Sequence, residues 1–72
     1  MTETLGDALP RQIKFMNEVA IPAYEEIIPI APMTALTVKI MRAETQEAVE
    51  ALASGDVARM ARAYAAIKDV EL

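Results

Sequence analysis

The segment EALASGDVARMARAY, residues 50–64, decides the fold. Its Ser-Gly-Asp triplet, Ser54 to Asp56, is the clearest punctuation in the chain. Gly55 can adopt the left-handed backbone that closes a helix, and Asp56 can accept hydrogen bonds at the start of the next one. Downstream, Val57, Met60, Tyr64 and Ile67 recur at steps of three, four and three, which is one face of a helix. Upstream, Val38, Met41, Thr45, Ala48 and Leu52 recur in the same way, with Leu36 and Ile40 adding a second apolar edge. If these two helices fold back antiparallel, positions whose numbers sum to about 109 face each other. Leu52 then meets Val57, Thr45 meets Tyr64, and Ala48 lies beside Met60 and Ala61, the small residues at 48 and 61 permitting close approach. The same arithmetic sets Glu50 opposite Arg59 and Glu47 opposite Arg62. One register accounts for both the core and the charges.

Towards the N-terminus, Ile13, Met16, Ala20, Ala23 and Ile27 form a heptad-like stripe, widened by Phe15 and Val19. Pro10 suits a first turn, where its missing N–H costs nothing. Pro22 interrupts the same run but lies off the stripe. Inside a helix a proline removes a hydrogen bond and clashes with the preceding turn, at about 3 kcal/mol, so a kink or break is expected near residues 19–22. Pro29 and Pro32 disfavour helix at Ile28 and Ala31, which makes PIAP a stiff corner. The sequence thus predicts an all-α domain of three helices. After a frayed stretch over 1–8 come a first helix over about 9–28, kinked near 22, and a corner over 29–33. A second helix over about 33–53, a turn at 54–56 and a third helix over about 57–70 complete it. No strand-like alternation of any length occurs.

A chain of 72 residues makes at most one small domain. Chains below ~80 residues usually need a disulfide, a metal or association to be comfortably stable. With no cysteine and no histidine, disulfides are excluded and a zinc site is disfavoured. The hydrophobic content is 54 %, above the ~45–50 % apolar share of ordinary domains, so some apolar area should stay exposed in a monomer. Association, a dimer first of all, is the simplest remedy. The net charge of −4 disfavours direct nucleic-acid binding, which needs clustered Lys and Arg. The first ten residues are acidic without a basic start, unlike a signal peptide, and no uncharged run approaches the ~20 residues of a membrane helix. These features read as cytoplasmic, with no membrane association.

The residues do not assemble catalytic chemistry. Glu44, Glu47 and Glu50 share a helical flank as di-iron ligands do, but those sites also use histidine, and Arg59 and Arg62 are better partners. Glu25 and Glu26 are adjacent and point about a quarter-turn apart, which does not converge them on one substrate atom. Ser54 is the only serine and has no His to activate it, and the two glycines make no phosphate loop. No catalytic, cofactor-binding or metal-binding residue is expected, and the chain does not read as an enzyme. ALASG has the glycine spacing of a helix-turn-helix, yet Glu50, Ser54 and Asp56 are polar where that motif packs. The would-be recognition helix offers only Arg59, Arg62 and Lys68.

Residues 50–72, EALASGDVARMARAYAAIKDVEL, look locally like the turn and second helix of a tetratricopeptide repeat, with Gly55-Asp56 at the turn and Tyr64 at an aromatic position. Only a single copy is present, whereas a solenoid needs about three. The combination of LPRQI, IPAYEEI and ASGDVARMARAYAAIK is similar to short helical proteins of phage and prophage type. That resemblance implies a small accessory protein that binds a phage or host protein, and it transfers no functional residues. The leading expectation is a non-catalytic protein-interaction module that self-associates. Its surface would draw Ile21, Tyr24, Ile27 and Ile28 from the first helix, and Ile30, Met33, Leu36 and Ile40 from the corner and second helix. The alternative is an acidic inhibitor that occupies a basic or nucleic-acid-binding surface of a host protein.

Overall fold

In the computed structural model, which describes residues 3–70, the hairpin turn closes through Gly55. Its φ of 72° and ψ of 4° end one helix in the left-handed region, and no other described residue has positive φ. Asp56 is extended and accepts the Arg59 backbone N–H at 3.2 Å, which caps the next helix. Ser54 ties the turn together: its Oγ donates to the Ala51 carbonyl at 2.6 Å and accepts from the Asp56 N–H at 3.1 Å. These bonds satisfy groups that helix ends otherwise leave without partners.

The chain is all-α. A composite first helix comprises α1 (Leu5–Phe15), a π-helical turn (Met16–Ala20) and α2 (Ile21–Ile27). After the proline corner come α3 (Thr34–Ser54) and α4 (Val57–Ile67). The first helix packs on both members of the α3/α4 hairpin.

Helix formation starts earlier than the composition of the N-terminus suggests. The stretch over 1–8, expected to fray, is helical from Leu5, while residues 1 and 2 lie outside the described residues. Burial of Ala8 and Leu9 against the core holds this turn, and the Ala8 N–H donates to the Thr4 carbonyl at 2.8 Å. Pro10 consequently sits inside α1 rather than in its first turn. At the other end α4 stops at Ile67, short of the expected residue 70. Gln12 Nε2 donates to the Ile67 carbonyl at 2.8 Å, so a side chain of α1 satisfies an end group of α4.

Pro22 does not split the first helix. The backbone widens into a π turn just before it, and the Ile21 N–H reaches back to the Met16 carbonyl. A π turn absorbs one extra residue, which relieves the register that Pro22 cannot satisfy. The buried face then moves on by one position. Ile13 and Met16 keep to the heptad stripe, but beyond Ala20 the inward residues are Ile21, Tyr24 and Ile28 rather than Ala23 and Ile27. Ile28, the cap that follows α2, keeps right-handed helical dihedrals, φ −52° and ψ −44°, although it precedes Pro29, and it packs against the core. The corner that follows is closed by turns, with the Ile30 and Ala31 N–H groups both donating to the Ile27 carbonyl at 2.9 and 2.8 Å.

On α3 the buried residues are Val38, Met41, Thr45, Ala48 and Ala51, with Leu52 partly covered. Thr45 is the one buried polar side chain among them, and its Oγ1 donates to the Met41 carbonyl at 2.7 Å. On α4 the inward residues are Met60, Ala63 and Ile67. Val57, expected inside, is exposed, and Tyr64 lies at the core margin. Ala63 takes the close-approach role that the sequence register assigned to Ala61.

Candidate functional site

Among the described residues no group of three or more carboxylates converges so as to hold a metal ion. Nor is any described helix long and apolar enough to cross a membrane. The surface offers two features instead, an alanine-floored groove and a bare apolar ridge.

The groove lies between α3 and α4 and has a volume of about 360 Å³. Ala43, Ala63 and Ala66 form its apolar lining, and Glu44, Glu47 and Arg62 are the charged residues around it. Glu47 is engaged by Arg59 rather than Arg62: Arg59 Nε and an Nη donate to its two carboxylate oxygens at 2.7 and 2.8 Å. The observed pair is about one helical turn away from the expected Glu50–Arg59 and Glu47–Arg62 pairs. Side-chain length explains the choice, because the planar guanidinium reaches whichever carboxylate it can grip with two parallel bonds. These bonds hold the Glu47 carboxyl below its ordinary value against the opposing effect of partial desolvation, with the charges of Arg59 and then Arg62 adding to them. The same bonds raise Arg59 further.

The ridge begins at the corner. Ile30 is 86 % and Met33 82 % exposed, and Leu36 and Ile40 follow at 59 % and 50 %. Ile27 adds to it from the end of α2. Five of the eight residues expected on the interaction surface therefore lie open. The other three do not: Ile21 is buried, and Tyr24 and Ile28 pack against the core, because the π turn rotated them inward. A single exposed apolar side chain is ordinary, but several large ones together mark a contact surface. Arg42 of α3 pairs with Glu25 of α2 at 2.9 Å, an exposed ion pair between the two helices.

Ala43, Ala63 and Ala66 were not singled out by the sequence reading. The signal for Ala43 was present in the spacing, since Met33, Leu36, Ile40, Ala43 and Glu47 advance by three, four, three and four. Ridge and groove are thus successive parts of one flank of α3. No known family, curated protein or solved structure matches the chain.

Proposed function

We propose that the protein is a non-catalytic interaction module that self-associates through the ridge formed by Ile27, Ile30, Met33, Leu36 and Ile40. The observation that carries this reading is the exposure of Ile30 and Met33, 86 % and 82 %, on a corner whose backbone is hydrogen-bonded through turns. An apolar side chain held on a structured segment loses contact with water only by meeting a partner, and each fully covered Ile or Met contributes about 1.5–3 kcal/mol. The ion-paired, outward-facing glutamates fit a solvated face rather than a reaction centre.

The test is solution mass over a concentration series, by sedimentation or light scattering. Wild-type chain is expected to pass from monomer to dimer. The double variant Ile30→Glu with Met33→Glu is expected to remain monomeric, with unchanged far-ultraviolet dichroism because neither side chain belongs to the core. A wild-type monomer throughout the series, or a variant that still dimerises, overturns the proposal. Ile28 is an unsuitable probe, since a charge there would strike the core.

A further inference from the structure

We infer that Met33 is a redox-sensitive modification site, at which a hydroperoxide turns the ridge from apolar to polar while the helical core stays intact. This inference goes beyond the self-association reading and does not depend on it. It starts from the distribution of oxidisable atoms. The chain has no cysteine and no tryptophan, so thioether sulfur is its most readily oxidised side-chain group. Met16, Met41 and Met60 belong to the core, and none is more than 8 % exposed. Met33 is 82 % exposed. Among the described residues, one methionine therefore stands open to solvent.

Its place matters as much as its exposure. Met33 caps the N-terminal end of α3, and the Leu36 N–H donates to its carbonyl at 3.1 Å. On either side the Thr34 and Ala35 N–H groups donate to the Ala31 and Pro32 carbonyls at 2.9 and 3.1 Å. The backbone is held by these turns, so the exposure belongs to the folded chain and needs no local opening. The other ridge residues, Ile27, Ile30, Leu36 and Ile40, have hydrocarbon side chains that a peroxide leaves unchanged. Met33 is the ridge position whose polarity a chemical step can reverse.

The step is a two-electron oxygen transfer. The thioether sulfur attacks one peroxide oxygen with its lone pair, an S–O bond forms and the O–O bond breaks. Sulfur is oxidised by two electrons and the peroxide is reduced by two. The proton on the transferred oxygen passes to the departing one, which leaves as water from hydrogen peroxide or as the alcohol from an alkyl hydroperoxide. The product is methionine sulfoxide, polar where an apolar sulfur stood, and sulfoxide reductases can reverse it. In a core this change disrupts packing, because the new oxygen lacks a hydrogen-bond donor. At Met33 the oxygen meets water. Where copies associate through the ridge, the reacting species is the dissociated chain.

The test treats dilute folded chain with hydrogen peroxide, quenches it at intervals, digests it and scores each methionine by peptide mass and fragment ions. Met1, outside the described residues, is scored on its own peptide. Met33 should gain oxygen at least about tenfold faster than Met16, Met41 and Met60, whose reaction waits on opening of the core. In denaturing urea the four rates should converge. Chain oxidised at Met33 should keep its far-ultraviolet dichroism and elute earlier from a hydrophobic-interaction column, and Met33→Leu should abolish that shift. Selective oxidation that slows as the chain is concentrated supports this inference and self-association together. Selectivity independent of concentration supports it and counts against the ridge as a contact between copies. Comparable native rates at Met33 and the three core methionines overturn it. So does loss of helix on oxidation at Met33, an unchanged elution, or a shift that survives Met33→Leu.

Discussion

The two halves of α3 are built alike in sequence and end in different surroundings. From Ala43 to Ser54 one flank is covered by α4, with alanines in close approach and Glu47 gripped by Arg59. From Thr34 to Ile40 the continuation of that flank carries Leu36 and Ile40 into solvent. The opposite flank, with Val38 and Met41, is buried against the first helix in this same half. Helical periodicity therefore selects which residues share a flank, whereas the length of the neighbouring helix determines whether that flank is covered.

Paired truncations would break this comparison most sharply. Met41→Ala removes a buried side chain and is expected to cost about 2–5 kcal/mol, enough to unfold much of a small domain. Leu36→Ala, five residues earlier, is expected to change the monomer's stability by no more than about 0.5 kcal/mol. Urea denaturation at concentrations low enough to keep the chain monomeric measures both. Comparable losses at the two positions would mean that Leu36 is already covered within one chain.

Gly55→Ala addresses the turn that makes the two halves unequal. An added methyl group at Gly55 meets nothing within 4 Å, so the cost is conformational alone. Holding a non-glycine residue at left-handed φ costs roughly 1–2 kcal/mol. Thermal or urea unfolding should show this loss without a change in helical content, and a neutral result would mean that the turn closes with another backbone conformation.

The smallest expected effect is electrostatic and belongs to the covered half. Glu47 has a lowered pKa, so the folded state binds its proton less readily than the unfolded chain. Its stabilising contribution is therefore fully present above the ordinary glutamate range, about pH 4.3, and fades as pH falls through the lower folded value. Glu47→Gln should lower the melting temperature slightly at pH 7 and lose its difference from wild type in acid, with added salt weakening the effect at neutral pH. A difference that persists undiminished at low pH would assign the role of Glu47 to packing instead of charge.

Much of the architecture was legible in the chain because it depends on local chemistry. Gly55 and Asp56 announce the hairpin, since only glycine adopts left-handed φ without strain and a carboxylate caps the following N–H groups. Val38, Met41, Thr45 and Ala48 name the buried face of α3 because a regular helix repeats every 3.6 residues. The same rule failed beyond Ala20, where the π turn before Pro22 adds a residue to one turn and exchanges Ile27 for Ile28 on the inner face. A periodicity argument assumes the helix it is applied to, and so it could not foresee that change of phase.

The candidate surface divides along the same line. The sequence showed more apolar residues from Ile21 to Ile40 than a small core can take in. It did not separate Ile30, Met33, Leu36 and Ile40, which stay exposed, from Ile21, Tyr24 and Ile28, which pack inward. The sequence by itself determined the hairpin turn, the helical class and the flank on which these residues lie, because each follows from neighbours a few positions apart. Only the tertiary structure decided where the first helix begins, how Pro22 is accommodated, which glutamate Arg59 grips and which apolar residues remain bare. Those outcomes depend on contacts between segments distant along the chain, where burial and steric fit outweigh local preference.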